Sequence, residues 1–284
     1  MIDIGQGRRL HLVRAGARDA NGPTVLLEAG SFGFSADWAA VQERLAARAV
    51  RSLAYDRAGL GFSDRGPAPR DGLAIVRDLE ALLAALGEDG PFIVCGHSMA
   101  GLHTHLFAAR NPARVAGVVL VDAATPNSMN SRRVSAAVVQ FGRATRLAAW
   151  GAEAGLFKPL AATHFGDKIG LGGAAKGEKR WAFALGRHNR WAAQEVAHWS
   201  ATASQARQAG DMDPAWPVAV VLAGAPHEMA WLKALQIAPA RASWRGVIVH
   251  VSAASHASIL GERHAAEVVS AIEWVAAEAA KARP

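Results

Sequence analysis

The chain has 284 residues and a mass of 29.8 kDa, enough for one large domain with a sizeable core or for two small ones. With 51% hydrophobic and 19% charged residues it excludes intrinsic disorder. A mean hydropathy of +0.10, with no uncharged apolar run of about 18 residues, excludes a membrane-spanning helix. The net charge is +7, and residues 127–210 account for all of it: twelve Lys and Arg stand there against four acids, a net +8. The plainest reading of that stretch is a solvated face. No zinc-finger, RNP or basic-zipper pattern accompanies it, so nucleic acid is not an expected partner. Cys95 is the single cysteine, which excludes an internal disulfide and a thiolate metal cluster. The opening MIDIGQGRRLHLVRAG has no charged-then-apolar leader, and the expected compartment is the cytoplasm.

Along the chain, Arg9–Val13 and Thr24–Leu27 read as strands. Ser35 is placed to cap a helix with Trp38, Val41 and Leu45 on one face. Val50–Tyr55 reads as a strand. Ile75, Val76, Leu79, Leu82, Leu83 and Leu86 form an apolar helical stripe that Gly87 ends. Phe92–Cys95, between Pro91 and Gly96, is too short for a helix and reads as a buried strand. A helix then runs to about Asn111-Pro112, and Val115–Val121 is a further buried strand. This alternation predicts an α/β fold, a mostly parallel sheet with helices on both faces.

The alternation stops over residues 126–212. That stretch is helical and Ala-rich, with Trp150, Trp181, Trp191 and Trp199, and holds five glycines between 166 and 177. Each glycine lowers helix propensity by about 1 kcal/mol relative to alanine, which predicts the loosest part of the insertion there. The tryptophans either pack helices together or line an apolar pocket. Strands resume at Val218–Ala223 and Val247–Val251, and a last helix carries Val268, Val269, Ile272 and Val275. The predicted organisation is a core of residues 1–125 and 213–284 interrupted by a helical cap of residues 126–212.

The chemistry centres on Gly96-His97-Ser98-Met99-Ala100-Gly101, between a buried strand and a helix. A serine on a tight strand-to-helix turn projects its hydroxyl above the sheet. Small residues two before and two after let the turn close, and the next helix aims its first amides at the serine oxygen. The pattern is G-x-S-x-G with Ala100 in the last place.

Here the sequence resembles the α/β-hydrolase superfamily, over nearly the whole chain. Tyr55-Asp56-Arg57-Ala58-Gly59-Leu60-Gly61-Phe62-Ser63 is similar to that family's D-x-R-G-x-G-x-S loop, with Ala58 where glycine is common. The resemblance implies Ser98 as nucleophile and His256, just after the last strand, as its base. It commonly places the acid after Val218–Ala223, where Glu228 is the candidate. Some members place it after the earlier strand, where Asp122 stands. Asp122 is favoured for its short side chain at a rigid strand end, with Glu228 the alternative. Ala29-Gly30-Ser31-Phe32-Gly33 resembles the family's H-G-x-x loop, so the implied oxyanion donors are the backbone amides of Met99 and Ser31.

A serine hydroxyl is a poor nucleophile at neutral pH without a base within hydrogen-bond reach. The expectation is a hydrolase working without cofactor or metal on a small ester-like molecule, through an acyl-serine. An apolar acyl part fits the insertion, and its charge raises the option of an anionic end. A thioesterase, lactonase or C–C hydrolase would use the same residues. From another class, a ligand-sensing receptor on this fold would bind with little turnover. Dehalogenase and epoxide-hydrolase chemistry are disfavoured, because the relatives that perform them use an aspartate nucleophile. His103 and His105, two apart on a helix, face different ways and do not make a metal site.

Overall fold

The computed structural model describes residues 1–17 and 22–281. Among these, β1 (Ile2–Asp3) and β2 (Arg9–Leu10) pair as a small antiparallel hairpin. The main sheet holds β3 (Leu12–Ala15), β4 (Thr24–Glu28), β5 (Ser52–Tyr55), β6 (Phe92–His97), β7 (Val115–Val121), β8 (Val218–Ala223) and β9 (Gly246–Val251). Their order is β3-β5-β4-β6-β7-β8-β9, parallel throughout except for β3 against β5. The helices are α1 (Ala39–Ala46), α2 (Gly72–Leu86), α3 (Ala100–Arg110), α4 (Arg132–Glu153), α5 (Gly173–Ala184), α6 (Gly186–Ala197), α7 (Trp199–Gln208), α8 (Ala230–Gln236), α9 (Ala238–Ala242) and α10 (Ala265–Lys281).

Alternate strand residues feed two cores. Val25, Leu27, Val119 and Val221 face α1 and α10, meeting Val41, Leu45, Val269 and Ile272. Leu26, Val94, Leu120 and Val220 face α2 and α3, meeting Val76, Leu79, Leu102 and Leu106. Both faces of the sheet are covered, which is why its strands read as near-continuous apolar runs. The Asp71 carboxylate caps α2 by accepting from the Ala74 amide at 2.9 Å, and Gly87 ends it in the left-handed conformation.

Two local expectations change. The strand expected over Arg9–Val13 breaks at His11. Its amide donates to Ser63 Oγ (2.8 Å) and its carbonyl accepts from the Asp56 amide (3.0 Å), so it is tied to the loop after β5. Ser35 caps nothing: Ser35–Trp38 is a 3₁₀ turn before α1, and the Ser35 amide donates to Asp56 Oδ1 (2.9 Å).

Between β7 and β8 the chain runs through α4–α7. The buried residues Val138, Gly142, Thr145, Ala149 and Ala152 give α4 one packed face, where a Cβ on Gly142 would lie 3.8 Å from Val196 of α6. The glycine-rich interval is tied down at its start. The Asp167 carboxylate accepts from the amides of Ile169, Gly170 and Leu171 at 3.0–3.1 Å, and Ile169 and Leu171 are buried in the α1/α10 core. A carboxylate gathering three amides fixes the backbone locally where helix propensity is poor.

Chain order reverses direction across the sheet between β4 and β6, which lie side by side with Glu28 opposite Gly96. The loops after both strands therefore share one crevice at the carboxyl edge, where open α/β sheets bind ligands.

Candidate active site

Ser98 follows β6 with φ of +57°, a strained conformation for a side chain-bearing residue. Backbone bonds fix it: its amide donates to the Val121 carbonyl (3.1 Å), and its carbonyl accepts from Ala124 (2.8 Å) and Gly101 (3.2 Å). Gly96 is required, since a Cβ there would lie 2.3 Å from Thr104 Oγ1 and 2.8 Å from the Ala100 carbonyl oxygen. Gly30, after β4, comes so close that a Cβ would lie 2.8 Å from that of Ser98.

Three residues distant in sequence meet here. His256 Nε2 lies 3.0 Å from Ser98 Oγ, and His256 Nδ1 lies 2.6 Å from Asp122 Oδ2. Asp122, at the end of β7, also has positive φ (+43°), and its amide donates to the Val221 carbonyl. Burial pushes the Asp122 carboxyl up, but the hydrogen bond and charge of His256 outweigh it, helped by His97 and Gln236. The carboxyl sits below its ordinary range. An aspartate so placed is ionised at neutral pH and fixes which imidazole nitrogen faces Ser98.

Glu228, the alternative acid, is elsewhere. It is exposed, and its carboxylate turns back to accept from the Ala225 amide at 3.2 Å, bracing its own loop. The loop after β8 folds on itself, with Met229 at a φ of +47°, and leaves no carboxylate to reach His256. Met99 and Ser31 stand next to each other, Ser31 Oγ donating to Met99 Sδ (3.6 Å). Among the described residues, neither backbone amide is spent on a protein acceptor.

Five residues shape the site that the sequence did not single out for it. His97 Nε2 donates to the His256 carbonyl (2.8 Å), and the two rings lie 4.8 Å apart. Burial, with the charge of His256, pulls His97 down to about 3, so it is a neutral strut under His256. Gln236 of α8 donates to Asp122 Oδ1 (3.2 Å). Arg57, fully buried, donates to the carbonyls of Ala29 and Gly30 and so holds the loop carrying Ser31. It is neutralised by Glu28 (2.8 Å) and by Glu195 of α6 (2.8 Å). Burial works against the guanidinium charge, but the two carboxylates prevail and raise its pKa.

A cavity opens on either side of Ser98. One lobe, about 450 Å³, is walled by Phe32, Phe141, Phe157, Phe165 and Phe183, with Lys168 and Lys179 at its edge. The other, about 560 Å³, is walled by Ala123, Val134, Val138, Trp199, Trp231 and Leu232, with Arg133 at its edge. Both include Ser31, Ser98, Phe141 and His256. Of the insertion's tryptophans only Trp199 lines it. Trp181 stacks on Phe62 (4.8 Å), and Trp150 is exposed. Lys179 is paired with Asp37 (2.7 Å), whereas Lys168 and Arg133 have no acidic partner among the described residues. Cys95 is buried in β6, and its burial pushes the thiol up.

A family model described as alpha/beta hydrolase fold matches residues 23–224. A Gibberella zeae protein described as an AB hydrolase superfamily protein is 36% identical over 121 residues, 42% of this chain and 37% of that protein. A Variovorax paradoxus protein provisionally named carbamate hydrolase RutD is 38% identical over 118 residues, 40% of this chain and 43% of that one. The curated relatives are matched over 15% to 43% of their own length. Among solved structures, a protein of Pseudomonas aeruginosa provisionally named an epoxide hydrolase superposes with a TM-score of 0.77 at 20% identity, covering 100% of this chain and 97% of that one. An enol-lactonase from Burkholderia xenovorans LB400 superposes with a TM-score of 0.68 at 20% identity, covering 97% and 99%. At such identity the likeness is one of fold. No helix among the described residues is long and apolar enough to cross a membrane.

Proposed function

The chain belongs to the alpha/beta hydrolase fold family, and from that premise we propose that it is a serine hydrolase that cleaves carboxylic esters through an acyl-serine intermediate. The observation that carries the reading is the line Ser98 Oγ–His256 Nε2 (3.0 Å), His256 Nδ1–Asp122 Oδ2 (2.6 Å). His256 takes the Ser98 proton as Oγ attacks the acyl carbon, and Asp122 stabilises the imidazolium. The amides of Met99 and Ser31 receive the negative charge on the carbonyl oxygen. His256 then protonates the leaving group, and water repeats the cycle in reverse to free Ser98.

The two lobes flanking Ser98 fit an ester with an apolar acyl part on one side of the scissile bond and its leaving group on the other. In this reading residues 126–212 act as a cap over a core of residues 1–125 and 213–284. An anionic end of the substrate would meet Arg133 or Lys168, the cavity-edge cations without acidic partners among the described residues. The test is a panel of p-nitrophenyl esters and acyl-CoA thioesters of graded chain length, run on the protein and on Ser98→Ala. Ester turnover that vanishes in the variant, with a fluorophosphonate labelling Ser98 alone, is the expected result. Undiminished turnover in Ser98→Ala, or binding of esters with no turnover at all, overturns it.

A further inference from the structure

The outer face of α4 carries apolar side chains that the rest of the chain leaves open. Its packed face is Val138, Gly142, Thr145, Ala149 and Ala152. Val139, Arg143, Leu147 and Trp150, spaced by four, four and three, therefore point away. Val139 is 46% exposed, Leu147 74% and Trp150 73%. The chain then folds back over the helix end, the Leu156 amide donating to the Gly151 carbonyl (3.0 Å), and exposes Leu156 (62%) and Phe165 (56%). So many large apolar groups open in one segment mark an interaction surface.

Charge narrows the partner. From residue 132 to residue 165 the cations are Arg132, Arg133, Arg143, Arg146 and Lys158, and the single acid, Glu153, is paired with Arg190. Arg132, Arg143 and Arg146 are exposed and form no ion pair among the described residues. A second copy docking face to face would bring these cations together and be repelled. Exposed Trp and Leu edged by arginines match an interfacial helix on anionic lipid. The face is also continuous with the cavity, because Phe165 is at once exposed and a wall of the phenylalanine-lined lobe.

We propose that the outer face of α4 and the turn after it dock on an anionic phospholipid surface. Leu147 and Trp150 enter the acyl boundary, Arg132, Arg143 and Arg146 meet the phosphates, and the lobe leading to Ser98 lies beside the contact. The inference does not depend on the reaction catalysed at Ser98.

The test is flotation of the whole chain with vesicles of phosphatidylcholine alone and of an equal mixture with phosphatidylglycerol. The expected result is recovery with the mixed vesicles, little with the neutral ones, and release by salt. Leu147→Glu with Trp150→Glu, and separately Arg143→Glu with Arg146→Glu, should each lower recovery by at least about tenfold. Both changes lie outside the cavity wall, so turnover of a short, water-soluble ester should be unchanged, which also reports an intact fold. Absence of binding, equal recovery with neutral vesicles, or recovery indifferent to both variants overturns the proposal. So does a self-associated species in sedimentation that the Leu147→Glu, Trp150→Glu variant abolishes, since a second copy would then own the face.

Discussion

The two halves of the insertion are held by different chemistry. The α6–α7 half is sewn to the core through buried polar groups. Glu195 reaches Arg57, His188 Nδ1 accepts from the Gly61 amide (3.0 Å), and Thr202 Oγ1 accepts from the Gly72 amide (2.9 Å). Gln205 spans the Leu73 amide and the Asp71 carboxylate. The α4 half instead packs on α6, within the insertion, and the Glu153–Arg190 pair is at the surface. Parting a buried ion pair costs about 3–5 kcal/mol, whereas a surface pair is worth about 1 kcal/mol or less. The cover over Ser98 is therefore not one hinged plate. If the insertion acts as the proposed cap, the α6–α7 half would stay with the core and opening would fall to α4.

The largest effect fixes the centre against which the halves are measured. Asp122→Asn should lower ester turnover by about 10⁴, the penalty of holding the wrong imidazole tautomer toward the serine. Glu228→Gln should leave turnover nearly unchanged, because its carboxylate braces only the Ala225 amide. Steady-state kinetics on both variants checks this, and the reverse ranking would move the acid to Glu228.

The next variants test the two halves directly. Glu195→Ala leaves Arg57 buried with one carboxylate instead of two and should destabilise the fold by about 3 kcal/mol. Because Arg57 also holds the Ala29 and Gly30 carbonyls, kcat should fall more than KM rises. Arg190→Ala, which removes the surface pair that ties α4 to α6, should cost about 1 kcal/mol or less. Denaturant titration of both variants decides. Equal losses would erase the distinction between the halves.

A pH series sharpens the same contrast. Burial pulls His188, on α6, and His97 down to about 3, against about 6.5 in an unfolded chain. Between those values the unfolded state binds protons that the folded state refuses, so stability falls as pH falls. The slope is about 1.4 kcal/mol per pH unit for each histidine. Asp122 and Glu28, both held low, lose their contribution only below the ordinary carboxylate range, whereas Asp37, pushed up by burial, opposes the histidines, so His188 is read from the difference between parent and variant. Unfolding midpoints from about pH 6.5 to about pH 5 should drop for the parent and drop less for His188→Asn, whose amide oxygen can still accept from Gly61.

Much of this was legible in the sequence. The short apolar runs and the 3.6-residue stripes gave the strand and helix order, and the turn Gly96–Gly101 located Ser98 at a strand end. What stayed hidden are partners brought together only by tertiary folding. Glu195 lies 138 residues from Arg57, His97 lies 159 from His256, and Gln236 lies 114 from Asp122. None sits in a local pattern that announces its partner. Ser35 misled for the converse reason: the turn begins one residue earlier, with Phe34 in the capping position and the Ser35 amide bound to Asp56, so the Ser35 hydroxyl lies inside the turn. Nor does propensity register a side chain such as Asp167, which collects three amides at the start of the glycine-rich interval.

The smallest effect concerns the open half and its charge. Lys168 and Arg133 edge the two lobes without acidic partners, and the stretch 127–210 carries a net +8. Exposed charges act on encounter more than on grip, and at physiological ionic strength they are screened beyond about 8 Å. For an anionic ester, kcat/KM should therefore fall a few-fold as salt rises from about 10 mM to about 150 mM, with kcat little changed. A neutral ester of equal size should give a flat response. Lys168→Ala and Arg133→Ala should each remove part of the salt dependence. Arg190→Ala should remove little, since that charge is already paired with Glu153. A salt response shared by both esters would reduce the basic surface to a solvated face, and α4 would then differ from α6–α7 only in how it is fastened.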